Sequence, residues 1–225
     1  MNNLNIRALR SSLLGTATMA ALLFIPAGTL DYWQAWLFMA VFVVATTAIT
    51  VYLAMKDPKL LERRMRAGPT AEKEPAQKII MFFAMTGFLA LLIFPALDHR
   101  FAWSPVPTYL SFAGDALIAV GFFLVFIVLK VNTYGASTIQ IAEDQVVIST
   151  GPYALVRHPM YCGALPLLIG IPLALDSWWG LFVLVLVVPA IMWRLLDEEK
   201  FLQKNLEGYA DYCQKVRYHL VPFIW

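Results

Sequence analysis

From Tyr32 to Met55, between the charges of Asp31 and Lys56, the chain carries no charged side chain. As a helix that stretch is about 36 Å long, more than the roughly 30 Å of a bilayer's hydrocarbon core. Three further blocks are of spanning length: Leu13–Leu30, Ile79–Leu97, and Tyr109–Leu129, the last interrupted only by Asp115. Two shorter blocks, Met160–Leu175 and Ser177–Trp193, are separated by Asp176 and predict a short hairpin. The chain as a whole is 60% hydrophobic and 14% charged, where soluble domains average about 45–50% and about 25%. The predicted fold is all-α: a polytopic transmembrane helical protein with about six membrane segments, the last two a short hairpin.

Basic residues set the expected orientation. With the N-terminus inside and each block crossing once, Arg7, Arg10, Lys56, Lys59, Arg63, Arg64, Arg66, Lys73 and Lys78 fall on the inner side. So do Lys130, Arg157, Arg194, Lys200, Lys204, Lys215 and Arg217, which leaves Arg100 alone outside. Cationic loops stay on the cytoplasmic side, so both termini and the polar loops are expected in the cytosol and the protein in the cytoplasmic membrane. The first block is longer than a secretory h-region and no A-x-A site follows Leu30, which reads as an uncleaved anchor. Cys162 and Cys213 fall near the inner side, where thiols stay reduced. A net charge of +2, with its basic residues accounted for by topology, implies no nucleic-acid partner.

The chain divides into 1–78, a membrane hairpin with a cytosolic amphipathic segment, and 79–225, a membrane core with a cytosolic tail. In the first part, Asp57-Pro58 supplies an N-cap and first-turn proline and Gly68-Pro69 a stop. The Leu60, Leu61 and Met65 face between them suits a short helix lying on the anionic inner leaflet, with an ordinary solvated loop as the alternative. Asp115, near the outer end of its block, reads as a snorkelled or hydrogen-bonded structural acid.

Lys130–Arg157 is a long polar connection with few turn breakers, and such loops usually carry function. It ends in Arg157-His158-Pro159-Met160-Tyr161. Proline disfavours α geometry at His158 and suits a first helical position, so the fifth helix is predicted to begin at Pro159. Its free N–H groups favour an anion there, Arg157 adds a fork-shaped donor, and His158 can donate or accept near neutral pH. At the far end of the hairpin stands Asp197-Glu198-Glu199, which brings no topological benefit. A hairpin returns these acids to the depth of Arg157–Tyr161 and predicts one polar cavity between them.

Gly151-Pro152-Tyr153, then Val156-Arg157-His158-Pro159, Tyr161 and Gly163, resembles the hallmark of isoprenylcysteine carboxyl methyltransferases, a family grouped with the membrane phospholipid N-methyltransferases. Glu198-Glu199 with Leu202, Tyr209 and Tyr212, and the closing Val216 and Pro222 are similar to its second signature. The resemblance covers roughly 146–222. It implies S-adenosylmethionine as cofactor, held by Gly151, Tyr153, His158, Pro159, Tyr161 and Glu198. It also implies catalytic roles for Arg157 and Glu199. Many relatives carry arginine three residues before the terminal proline; His219 stands there in this chain, and Arg217 is assigned that role. Methyl transfer from a sulfonium to an ionised carboxylate needs neither metal nor base. The expected substrate is lipophilic and membrane-embedded: a carboxylate such as a prenylated cysteine, a lipid amine or a small thiol. Two other readings remain open: an NADPH-dependent enzyme of the sterol-reductase type, although no glycine-rich phosphate fingerprint is present, and a membrane scaffold or transporter.

Overall fold

The computed structural model describes residues 3–72, 74–142 and 144–225, with the side chain of Pro69 left aside. Lys73, one of the basic residues assigned to the inner side, lies outside the described residues. All regular structure among them is helical: α1 (Asn3–Ala27), α2 (Trp33–Lys56), α3 (Pro58–Met65), α4 (Pro75–Phe101), α5 (Thr108–Val131), α6 (Pro159–Ala174), α7 (Leu184–Asn205) and α8 (Tyr209–Lys215), with single 3-10 turns between. Five segments are long and apolar enough to cross a membrane: α1, α2, α4, α5, and Trp179–Asn205, which is α7 with the turn before it. The chain is a polytopic membrane protein.

α6 has 16 residues and is about 24 Å long, too short to fill a hydrocarbon core. Its start at Pro159 is therefore recessed from one end of the bundle. α7 outruns the apolar block that foreshadowed it, because the helix continues past Trp193 through the charged residues to Asn205. The hairpin is thus unequal. α6 lies along α5, while α7 lies along α4. The central core joins all six long helices through residues such as Leu23, Phe38, Leu91, Ile118, Ile171 and Val187.

The α5–α6 contact is made by glycines seven apart on each helix. A methyl group on Gly121 would stand 2.7 Å from the carbonyl oxygen of Gly163, and one on Gly170 2.6 Å from that of Gly114. At the bundle end away from Pro159, buried Asp98 accepts from the Ser104 backbone N–H at 2.7 Å and from the hydroxyls of Ser104 and Ser177. Asp176 likewise accepts from the Val106 N–H and the Gln34 amide. These two acids tie the connecting turns down at that end.

Two local expectations change. α3 begins as foreseen, with the Asp57 carboxylate accepting from the Leu60 N–H and Pro58 in the first turn. Its apolar face is covered by protein rather than lipid: Leu60 and Leu61 are buried against Ala8, Leu53 and Leu129. Asp115 does not snorkel. It is buried on the inner face of α5, and neither carboxylate oxygen has a hydrogen-bond partner among the described residues.

Candidate active site

The recessed start of α6 meets α7 through a shared carboxylate. Proline at 159 opens the helix, and His158 before it is non-helical, which frees its ring from capping. That ring turns to α7 instead, with Nε2 3.0 Å from Glu199 Oε1. His219 brings Nδ1 to the same oxygen at 2.9 Å, and Arg157 Nη1 lies 3.4 Å from both Glu199 oxygens. Glu199 is 6% exposed and His158 5%, so one buried carboxylate gathers three basic groups.

The rest of the Arg157 fork holds the tail. Its Nε donates to the Val216 carbonyl at 2.7 Å and its Nη2 to that of Cys213 at 2.8 Å. The backbone N–H groups of Arg157 and His158 donate to the carbonyls of Tyr218 and His219. Arg217 stays outside. Val216 fills the core and the next side chain turns outward, so Arg217 is exposed and pairs with no acid among the described residues. The tail residue on Glu199 is His219, stacked on Trp225 with ring centroids 4.6 Å apart.

Beside this cluster lies a cavity of about 340 Å³, within the roughly 300–1,000 Å³ usual for small-molecule sites. Its wall includes Tyr153, Arg157, His158, Tyr161, Glu198, Tyr209 and Tyr212. Tyr161 donates its hydroxyl to Glu198 at 2.8 Å across the gap between α6 and α7. Gly151 and Pro159 are not on the wall; they position what is. Gly151 has φ +58°, the left-handed region that favours glycine, and so turns the chain into the 3-10 turn carrying Tyr153. Burial pushes the Tyr153 hydroxyl up to about 12, so it stays neutral, accepting from the Asn132 amide at 2.7 Å. Glu199 also stands behind the wall.

Tyr212 donates to the Tyr153 carbonyl at 2.7 Å and thereby fastens α8 to this turn. Tyr212→Phe should destabilise the protein by about 1 kcal/mol, the net worth of one such bond. Denaturant unfolding in detergent measures it; an unchanged midpoint would show that the bond contributes nothing.

Several wall residues escaped the sequence reading. Arg194 joins Glu72 at 2.9 Å, Gln77 Oε1 at 2.9 Å and the Ser137 carbonyl at 3.0 Å. Glu72 also accepts from the Ile139 N–H, and Gln77 donates to Asp197. Arg64 reaches the wall from α3. The polar segment after α5 covers one side with Tyr134–Gln140 and Gln145–Ile148. The loop after α5 stands out in sequence as a segment of the kind that carries function, whereas Arg64, Glu72 and Arg194 look like ordinary inner-side charges, and only the long-range pairing of Glu72 with Arg194 marks the last two.

The cavity can hold a cation against Glu198 and tyrosine faces and an anion against a guanidinium, and its wall also carries apolar side chains such as Met81, Met160, Leu202 and Leu206. Among the described residues, no three His, Cys, Asp or Glu side chains are grouped so as to hold a metal ion.

Comparison with known proteins gives this site its context. The phospholipid methyltransferase family model matches residues 109–208. A mouse Delta(14)-sterol reductase is 28% identical over 94 residues, 40% of this chain but only 22% of that protein. Two rice proteins, from the indica and japonica subspecies, are each named a probable protein-S-isoprenylcysteine O-methyltransferase. Each is 30% identical over 200 residues, which cover 85% of this chain and 97% of the rice protein. With near full-length similarity to those proteins and the family match across α5 to α7, the chain belongs to the isoprenylcysteine carboxyl methyltransferase family, within the phospholipid methyltransferase group, and is an integral-membrane methyltransferase.

Proposed function

We propose that this enzyme uses S-adenosylmethionine to methylate a membrane-embedded substrate, with its cavity on the cytosolic side of the cytoplasmic membrane. The carrying observation is the cavity itself. It sets one carboxylate, Glu198, among five tyrosine side chains, and places guanidinium groups elsewhere on the same wall. The Tyr209 hydroxyl is buried without a hydrogen-bond partner among the described residues, so a polar ligand group there would satisfy it. This donor set fits a zwitterionic amino-acid end, a sulfonium and an aromatic base.

When bound, S-adenosylmethionine supplies an electrophilic methyl group on a positively charged sulfur. Glu198 and the tyrosine faces favour that charge. Tyr153 and Tyr161 line the wall and restrict how a ligand can sit, and alignment is what an in-line displacement most requires. Residues 134–140 and 145–148 cover one side of the cavity and limit water. Arg157 and Glu199 act as a positioning pair: they hold the tail so that Tyr209 and Tyr212 complete the wall. Gly151 and Pro159 serve the same end from the 3-10 turn and the start of α6.

The rice relatives are named for methylation of a protein-linked isoprenylcysteine, and a prenylated cysteine carboxylate is the acceptor we favour. Such a carboxylate is already ionised at neutral pH and needs no base. A lipid amine or a small thiol is the alternative acceptor. The inner-side excess of basic residues supports the cytosolic orientation.

Titration calorimetry of the purified protein in metal-free buffer tests the reading. S-adenosylmethionine should bind, and His158→Ala should weaken it by roughly tenfold or more, the scale of one lost charge-assisted contact. No binding of that cofactor, with tight NADPH binding instead, would move the protein to the reductase class.

A further inference from the structure

Three arginines reach the cavity wall, and two of them have a carboxylate: Arg157 has Glu199, and Arg194 has Glu72. The third, Arg64, has none among the described residues. It comes from α3, between α2 and α4, well before the 109–208 segment matched to the family. Its place is fixed from both sides. Nη1 donates to the Gly135 carbonyl at 3.3 Å, and the Arg64 carbonyl accepts from the Ser137 hydroxyl at 3.0 Å. The neighbouring Arg63 donates to the Thr133 carbonyl at 3.0 Å, which ties the same turn to the same loop.

Apart from the Gly135 carbonyl, the Arg64 guanidinium has no protein acceptor among the described residues. A guanidinium stays charged in proteins, and a desolvated charge without a partner is costly. Burial acts on Arg64 in that sense, lowering its pKa from the usual arginine value. The wall around it offers the neutral partners Asn132, Gly135 and Tyr153, and Glu198 is already bonded to Tyr161. A single planar fork with open donors is shaped for a planar anion held through two parallel bonds.

Resting on the methyltransferase reading of the cavity, we infer that Arg64 is a ligand-binding residue that holds a carboxylate of the bound molecule. Two carboxylates could meet it: that of the methyl donor's amino-acid end, or that of the acceptor. In either case the α2–α4 connection contributes directly to the site, and the segment 1–78 does more than anchor the enzyme. Arg64 also links ligand to cover, since the same side chain grips the loop that closes one side of the cavity.

The test compares matched ligand pairs on the full-length protein in detergent, wild type against Arg64→Gln and Arg64→Lys, by calorimetry. The donor pair is S-adenosylmethionine and its decarboxylated analogue; the acceptor pair is N-acetyl-S-farnesylcysteine and its carboxamide. If Arg64 holds the donor's carboxylate, wild type prefers the acid by about tenfold or more and Arg64→Gln erases that preference, binding both donors alike. If it holds the acceptor's carboxylate, the donor pair is unaffected and the preference within the acceptor pair is erased instead. Arg64→Lys keeps the charge without the fork and should retain part of the preference in whichever pair responds. Equal weakening of both members of both pairs, or no change in either, overturns the assignment and leaves Arg64 as a staple for the loop. Wild-type protein that binds no S-adenosylmethionine overturns both this inference and the proposed function, whereas normal wild-type binding with unaltered selectivity in the variants sinks only Arg64.

Discussion

Glu199→Ala should cost about 3–5 kcal/mol of stability, as removal of one partner of a buried ion pair does, and should abolish methyl transfer. The size follows from what is left behind. Arg157, His158 and His219 all turn toward this carboxylate, which is 6% exposed, and without it a partly buried guanidinium faces two imidazoles. The Arg157 fork would still hold the Val216 and Cys213 carbonyls, but without charge compensation. Glu199→Gln is the more informative variant because it keeps an acceptor oxygen for one imidazole. It should fold, with a lower unfolding midpoint, and lose activity partly.

The double variant Arg157→Ala/Glu199→Ala separates pairing from independent roles. Partners in one network give non-additive losses, so the double variant should be little worse than Glu199→Ala alone. Additive losses in thermal unfolding and in cofactor affinity would mean that the 3.4 Å contact does not couple the two residues. Near wild-type stability of Glu199→Ala would remove the cluster from any central role.

The membrane architecture was legible because charge-free length is a direct physical requirement of a bilayer span. The approach of Arg157-His158 to Glu198-Glu199 was legible for a related reason: two helices joined by a short connection must bring their outer ends to similar depth. What a linear sequence does not carry is which surface covers a given face. Leu60 and Leu61 form an apolar face whether lipid or Ala8, Leu53 and Leu129 covers it, and only the fold chooses. Arg217 and His219 are two residues apart, and the direction of a tail side chain depends on backbone pairing with Arg157 and His158 that the sequence does not display. Arg64, Glu72 and Arg194 share that problem, since a charged side chain facing solvent and one facing a cavity or a buried partner look alike in sequence. The end of α7 lies beyond what hydropathy marks: the apolar block stops at Trp193, and the helix carries its charged residues onward to Asn205.

The α5–α6 frame yields the second large effect. Gly121→Ala and Gly170→Ala should each destabilise the protein by about 1–3 kcal/mol or more, the scale of overpacking a well-filled interior. Alanine is the better helix former by roughly 1 kcal/mol, so propensity alone predicts the opposite sign. Sterics win here because the obstacles are backbone atoms: the carbonyl oxygens of Gly163 at 2.7 Å and Gly114 at 2.6 Å cannot move by a change of rotamer. The helices must separate instead. That separation reaches the site, since α5 leads into Asn132, which holds Tyr153, and α6 starts beside His158, which holds Glu199. Cofactor affinity should therefore fall along with the unfolding midpoint. Gly15→Ala on α1 is the control, because nothing lies within 4 Å of its new methyl group; it should be neutral or slightly stabilising. If all three variants behaved alike, close glycine packing would not be what joins α5 to α6, and the rigid support proposed for His158 would have to come from elsewhere.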